Sequence, residues 1–324
     1  MKKPVLKIII SSLVIISSIF AIGCKEKKKA ITIKDSKGSI EVPANPKKVV
    51  ALTDDVLDSL IALGITPVGA TEAPIKSENT PWNPYIKDKM KDVTVVGKEK
   101  EVNLGTIKEL KPDLIIGSIK RDDKIYDKLK EIAPTVLTVR NPTMKQTVLT
   151  VGEAVGKKDK AQDLLKDFDK KAKAFKENSK DKENIEVSLV RFSDGKAQIY
   201  YNVDIGSFVL NEAGVKRPKN QRKSWDNLNS LVDTTTQATS KIPRSEEVKI
   251  QDMNKIDGDV IFYFTTDDKG KIEKNKWESN ENWQTLKAVK NNKVIEVDPT
   301  YWHSVDSILS ANKILEDLNK YLSI

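Results

Sequence analysis

Apolar and polar positions change rhythm several times along this chain, and each change marks an element. The segment "ITIKDSKGSIEVP", Ile31 to Pro43, alternates on either side of Asp35-Ser36-Lys37-Gly38, which predicts a β-hairpin. "KKVVAL" reads as a short buried strand, and the helical pattern "DVLDSLIAL" follows it, capped by Asp54 or Asp55 and stopped at Gly64. Strands at "TPVGAT", "VTVVG", "DLIIGS" and "TVLTV" then alternate with helices at "LGTIKEL" and "IYDKLKEI". Continuous apolar strands separated by helices predict a parallel sheet covered by helices.

From Met144 to Asn178 the whole pattern is helical, and Leu164, Leu165, Phe168, Ala172 and Phe175 form one stripe at spacings of three and four. At ~1.5 Å per residue, such a helix is long enough to bridge two lobes. A second α/β unit follows, with strands at "EVSLVRF", "AQIYY", "DVIFYFT" and "KVIEVD" and helices near "IGSFVLNEAG" and "SNENWQTLKAV". The chain closes on the amphipathic pattern "VDSILSANKILEDLNKYL". The fold class expected is therefore α/β: two Rossmann-like lobes with central sheets, joined by one long bridging helix. The expected boundaries are 45–157 for the first lobe, 158–180 for the bridge and 181–324 for the second lobe.

The start of the chain obeys a different rule. Met1-Lys2-Lys3 leads into an apolar run that ends in "AIGC" at Cys24, the order of a signal peptide over 1–23. The run from Ile8 to Gly23 is short of the ~20 residues that span a bilayer as a helix. "AIGC" resembles a bacterial lipobox, with Ala21 where Leu, Val or Ile is usual, so Cys24 is the expected lipidation site. Residues 24–44 would then be a lipidated tether and the hairpin. Cys24 is the chain's only cysteine, so a processed chain has neither disulfides nor thiolate metal sites. The body is expected to be lipid-anchored at the extracytoplasmic face of the cell membrane.

Composition narrows the chemistry. The net charge is +9, but only six of the 56 cations are arginine, and the lysines interleave with carboxylates along helical stretches. That is a solvated helix surface, and no nucleic-acid partner is expected. One histidine, His303, excludes His-based metal clusters within the chain. Neither G-x-S-x-G, GxGxxG nor a P-loop occurs, which argues for binding over catalysis.

In parallel α/β sheets, ligands collect beyond the carboxyl ends of the strands. "DLIIGSIKR" delivers Arg121 to that edge in the first lobe, and "SLVRF" carries Arg191 in an otherwise apolar strand of the second. A guanidinium fork suits carboxylate or hydroxamate oxygens, the reading favoured here, and a salt bridge at a sheet edge is the competing explanation. Trp82, Tyr200, Tyr201, Trp225, Trp302 and His303 fall near strand ends or in loops. Alternation sends Tyr200 and Tyr201 to opposite faces, one into the core and the other to an accessible position. Core packing is the competing role for each aromatic. Together they suit a small-molecule pocket with apolar walls and a few directed cations.

"KKVVALTDDVLDSLIALGITPVGA", "NLGTIKELKPDLIIGS", "KIYDKLKEIAPTV", "NEAGVKRP" and "WQTLKAVKNNKVIEVDPTYW" resemble the substrate-binding lipoproteins of bacterial iron-siderophore ABC importers. The resemblance runs from about Ile31 to the C-terminus and implies a monomer that holds a ferric siderophore between its lobes. It also implies delivery to a membrane permease driven by a cytoplasmic ATPase. Arg121 and Arg191 match positions where such receptors place cations on the iron complex, and Tyr201 matches a frequent ligand-contacting histidine. Trp82, Trp225, Trp302 and His303 complete the expected ligand set.

The siderophore would coordinate the iron, so the protein needs no cofactor, metal ligand or catalytic residue. Receptors for carboxylate-rich siderophores carry further arginines where this chain has Glu99, Ser304 and Asp306, which favours a citrate-hydroxamate or hydroxamate ligand. Gly105 and Gln251 stand where the family's permease-docking glutamates belong; Glu109, Asp252 and Glu247 are the candidates to take their place, and the docking residues stay unassigned. The alternatives are a haem or cobalamin receptor of the same fold, or an extracytoplasmic siderophore-modifying enzyme.

Overall fold

The structure is a computed structural model that describes residues 29–75, 80–139, 143–179, 184–201, 204–222 and 245–322. The expected signal peptide, Cys24 and Trp225 lie outside them. The hairpin forms as β1 (Ala30–Asp35) and β2 (Gly38–Pro43), paired antiparallel. It is part of the first lobe's packing: Ile33 and Val42 enter the core, and Asp35 Oδ2 accepts the Leu137 N–H at 2.8 Å.

The first sheet contains β3 (Val49–Ala51), β4 (Gly69–Glu72), β5 (Thr94–Lys98), β6 (Glu101–Val102), β7 (Leu114–Ser118) and β8 (Thr135–Thr138). Its order is β6-β5-β4-β3-β7-β8, parallel throughout except for β6, a two-residue edge strand too short to leave a period in the sequence. The helices are α1 (Asp54–Ala62), α2 (Leu104–Leu110), α3 (Ile119–Asp122) and α4 (Tyr126–Ile132). Thr53, rather than Asp54 or Asp55, caps α1: its Oγ1 accepts the Val56 N–H at 3.3 Å. The two aspartates occupy the first turn, where the helix dipole favours negative charge.

The continuous helical pattern from Met144 breaks into α5 (Met144–Ala154) and α6 (Lys158–Asn178). Gly156 makes the corner with φ +69, and a Cβ there would lie 2.2 Å from the Ala44 carbonyl oxygen. The 21 residues of α6 span about 31 Å. Phe168, Ala172 and Phe175 of the expected stripe are buried, while Leu164 and Leu165 are partly buried.

The second sheet contains β9 (Val187–Ser193), β10 (Lys196–Tyr200), β11 (Ser245–Val248), β12 (Val260–Thr265) and β13 (Val294–Glu296), in the order β11-β10-β9-β12-β13. β9, β12 and β13 are parallel, and β10 alone is reversed, pairing antiparallel with both β9 and β11. Its helices are α7 (Ile205–Glu212), α8 (Asp268–Glu278), α9 (Lys287–Lys290), α10 (Pro299–Trp302) and α11 (Ile308–Leu322). The single helix expected around "SNENWQTLKAV" is instead a short 3-10 turn, Glu281–Thr285, and α9, while the unexpected α8 precedes them and ends at Glu278. α8 buries only Gly270 and Trp277, so it leaves no apolar stripe to read.

One hydrophobic core runs through both lobes, from Leu57 and Leu60 of α1, through Val148 of α5 and Phe168 of α6, to Val209 of α7 and Ile314 of α11. The lobes are therefore joined by packed side chains as well as by the covalent bridge. Separate clusters cover the far faces of the two sheets, around Ile107, Ile115 and Leu129 in the first lobe and Phe192, Ile261 and Trp277 in the second.

Candidate ligand-binding cleft

At its carboxyl end β7 runs into α3, whose cap Ser118 accepts the Lys120 N–H and donates its own backbone N–H to Asp122 Oδ2 at 2.7 Å. That turn leaves Lys120 exposed and swings Arg121 back over the end of β3. One terminal nitrogen of Arg121 lies 2.7 Å from Glu99 Oε2, and the other donates to the Leu52 carbonyl at 3.3 Å. Glu99 Oε1 accepts the Asp54 backbone N–H at 3.3 Å. The cation of this wall is thus already matched by a carboxylate from the end of β5.

Three more carboxylates lie buried behind that pair. Burial, followed by the charges of Glu99, Asp58 and Asp55, pushes Asp54 well above the ordinary carboxylate range. Burial also raises Asp122. Asp58 is wholly buried; it is pushed up to about 7 because burial outweighs the hydrogen bonds it accepts. Its Oδ2 takes the Tyr85 hydroxyl at 2.7 Å and, from the other lobe, the Ser307 hydroxyl at 2.6 Å. Tyr85 also meets Tyr301 edge to face at 6.2 Å. These contacts join α1 of the first lobe to the residue before α11 in the second, and this junction is taken as the floor of the candidate cleft.

The second wall is built differently. Arg191 projects from the same face of β9 as the buried Leu189, near the carboxyl end of the strand. Its Nη1 donates to the Tyr200 hydroxyl at 3.1 Å, its Nη2 to Ser193 Oγ at 2.9 Å, and its Nε to Thr266 Oγ1 at 3.3 Å. Among the described residues every side-chain partner of Arg191 is a hydroxyl; Asp267 stands one step back, accepting from Ser193 and from Thr266. Tyr200 meets the His303 ring at 5.4 Å, and Phe264 stacks on the same imidazole at 5.3 Å. Arg191, Tyr200 and His303 therefore form one cluster.

The other expected site residues are placed elsewhere. Tyr200 and Tyr201 do take opposite faces, but both are buried, where one accessible ring was expected. Tyr201 packs in the far-face cluster of the second sheet and donates its hydroxyl to Glu246. Trp302 is fully buried; its indole N–H donates to Asp317 Oδ2 at 2.8 Å, and its ring packs on Phe262 at 5.1 Å. Trp82 is 5% exposed and belongs to the shared core.

Residues absent from the expected set lie beneath the cleft. Arg217 is buried, donating to the Ser207 hydroxyl, the Tyr200 carbonyl and Gln221 Oε1, and burial lowers its guanidinium to about 10. In the sequence it stands in "VKRPKN" between Lys216 and Lys219, where nothing local distinguishes it from a solvated surface cation. Asp58 had a plainer signal: a charge between Leu57 and Leu60 on the helix's apolar face.

Comparison with known proteins extends this geometry. The profile of the family described as periplasmic binding protein matches residues 49–301. A probable siderophore-binding lipoprotein of Bacillus subtilis, YfiY, is 40% identical over 300 residues, covering 90% of this chain and 88% of that protein. The Fe(3+)-citrate-binding protein YfmC of the same organism is 32% identical over 309 residues, covering 92% and 88%. The crystal structure of Staphylococcus aureus SirA complexed with staphyloferrin B superposes with a TM-score of 0.76 at 33% identity, covering 91% of this chain and 99% of that one. With a family profile spanning residues 49–301 and relatives 40% and 32% identical over 90% and 92% of its length, this chain belongs to the periplasmic binding protein family.

Proposed function

We propose that the protein is an extracytoplasmic lipoprotein that captures a ferric siderophore between its lobes and delivers it to an ABC permease for iron uptake. The observation that carries this reading is Arg191: among the described residues its guanidinium is held by hydroxyls alone, one of them from Tyr200 against His303, and a negatively charged oxygen of a bound complex would complete its hydrogen bonds. The siderophore and ferric-citrate receptors among its relatives supply the chemical class. Arg121 addresses the ligand from the facing wall together with Glu99, and the siderophore itself holds the iron. Lipidation at Cys24 would anchor the body at the membrane, and Glu109, exposed on α2, is a candidate contact for the permease. Glu247 is engaged by Lys196 and Lys249, and Asp252 by Lys255, so both are less available.

Titration with iron-loaded hydroxamate and citrate-type siderophores is expected to change tryptophan fluorescence at micromolar ligand. An unchanged signal with every complex, together with no binding by calorimetry, overturns the reading.

A further inference from the structure

The two cleft walls carry one arginine each and differ in what that arginine already holds. Among the described residues Arg191 has only hydroxyl partners, whereas Arg121 is spanned by Glu99 at 2.7 Å and by the Leu52 carbonyl. Glu99 side-chain exposure is 30%, so the pair sits at the surface of the wall and not within it. A carboxylate offers about four acceptor positions. Those of Glu99 used in this structure are the Arg121 contact and the Asp54 N–H, which leaves acceptor capacity at the wall.

A second observation lies behind Glu99. Asp54 is 3% exposed, and among the described residues neither of its carboxylate oxygens completes a hydrogen bond; the Asn83 amide beside it is the one group that favours its charged form. The negative charge of Glu99 helps, after burial, to raise both Asp54 and Asp122. A purely anionic ligand would find this wall's guanidinium already paired, whereas a ligand with a hydrogen-bond-donating arm would use the open acceptor positions of Glu99.

We infer that Glu99 is a specificity-determining residue: it selects ferric siderophores whose first-lobe face carries an ammonium or other hydrogen-bond-donating group, while Arg191 takes the anionic face. The inference rests on the ferric-siderophore reading and makes the bound complex bipolar. Arg121 then acts as a positioning residue that holds the Glu99 carboxylate toward the cleft.

Three probes test it: the ferric complex of a linear trihydroxamate with a free terminal amine, the same complex N-acetylated, and ferric dicitrate. The wild-type protein is expected to bind the amine complex about tenfold tighter than its acetylated form, the lower end of what a hydrogen bond to a charged group supplies. Glu99→Gln is expected to abolish that preference and to tighten ferric dicitrate binding. Equal wild-type affinity for the amine and acetylated complexes overturns the inference while leaving siderophore binding intact. A uniform loss in Glu99→Gln across all three complexes also overturns it, since Glu99 would then only brace Arg121. If wild-type protein binds none of the three, the ferric-siderophore reading falls first and this inference with it. The wild-type comparison needs no variant, so a folding defect in Glu99→Gln cannot rescue the inference.

Discussion

Arg121 and Arg191 occupy comparable places, each beyond or near the carboxyl end of a buried parallel strand, yet they are electrically different objects. Arg121 belongs to a neutral pair backed by buried carboxylates; Arg191 belongs to a hydroxyl cradle in which its charge is unmatched at first contact. A strand ending in arginine thus marks the cleft without stating what the cleft will accept. What it accepts depends on residues distant in sequence: Glu99, 22 positions before Arg121, and Thr266, 75 positions after Arg191.

The contrast breaks most easily from below. Tyr200 holds Arg191 through its hydroxyl and is itself held through its carbonyl by Arg217. Arg217→Ala would strand Ser207, Gln221 and that carbonyl in a buried place beside Asp204, and is expected to cost about 3 to 5 kcal/mol of stability. Denaturant unfolding checks this. A cost below about 1 kcal/mol would put Arg217 among ordinary surface cations and remove the support assigned to the second wall.

Next in size is ligand affinity. Arg191→Ala is expected to weaken binding of anionic ferric siderophores by about 1.5 to 3 kcal/mol, the range for hydrogen bonds to charged groups. The same substitution at Arg121 should cost less, because its fork is already shared with Glu99 and Leu52. Calorimetric titration of the two variants side by side decides it; a larger loss at Arg121 would reverse the roles of the walls.

The parts legible in the sequence are those with a local physical signal. Apolar strands and the three-and-four stripe of α6 announce themselves because burial imposes a period on neighbouring residues. The mixed second sheet was not legible in this way, since β11 reads "SEEV", an edge strand whose outward carboxylates hide the alternation. Trp302 shows the limit for single side chains. Its position after β13 is that of a pocket residue, but an acceptor fifteen residues on, Asp317, satisfies its indole and lets the ring turn into the core. Asp58 and Ser307, 249 residues apart, meet at the cleft floor through a partnership that no local pattern encodes.

Acidity should separate the floor from the walls. Asp58 is raised from 3.8 to about 7 mainly by burial, and Asp204, at the cap of α7, is raised likewise. Folded protein therefore binds more protons than unfolded protein between about pH 4 and pH 7. The stability these groups contribute is fully present below the lower value and is lost as pH rises through the upper one. The slope approaches about 1.4 kcal/mol per pH unit for each proton. Asp58→Asn is expected to flatten the Asp58 share of that slope in urea unfolding compared between pH 5 and pH 8. An unaltered slope would mean that the interlobe bond to Ser307 carries no titrating charge.

The smallest effect bears most directly on the two walls. Arg121 and Glu99 keep 21% and 30% of their side-chain surface in water, so their attraction is screened and each charge stays partly hydrated. A double-mutant cycle on Arg121→Ala and Glu99→Gln, read in unfolding free energy without ligand, is expected to give a coupling of about 0.2 to 1 kcal/mol. A weak coupling is what a selective wall requires, since Glu99 must answer to a ligand cation as readily as to Arg121. A coupling of about 3 kcal/mol or more would place the pair in the same category as Arg217, a buried support that no ligand could engage, and the two walls would no longer differ in kind.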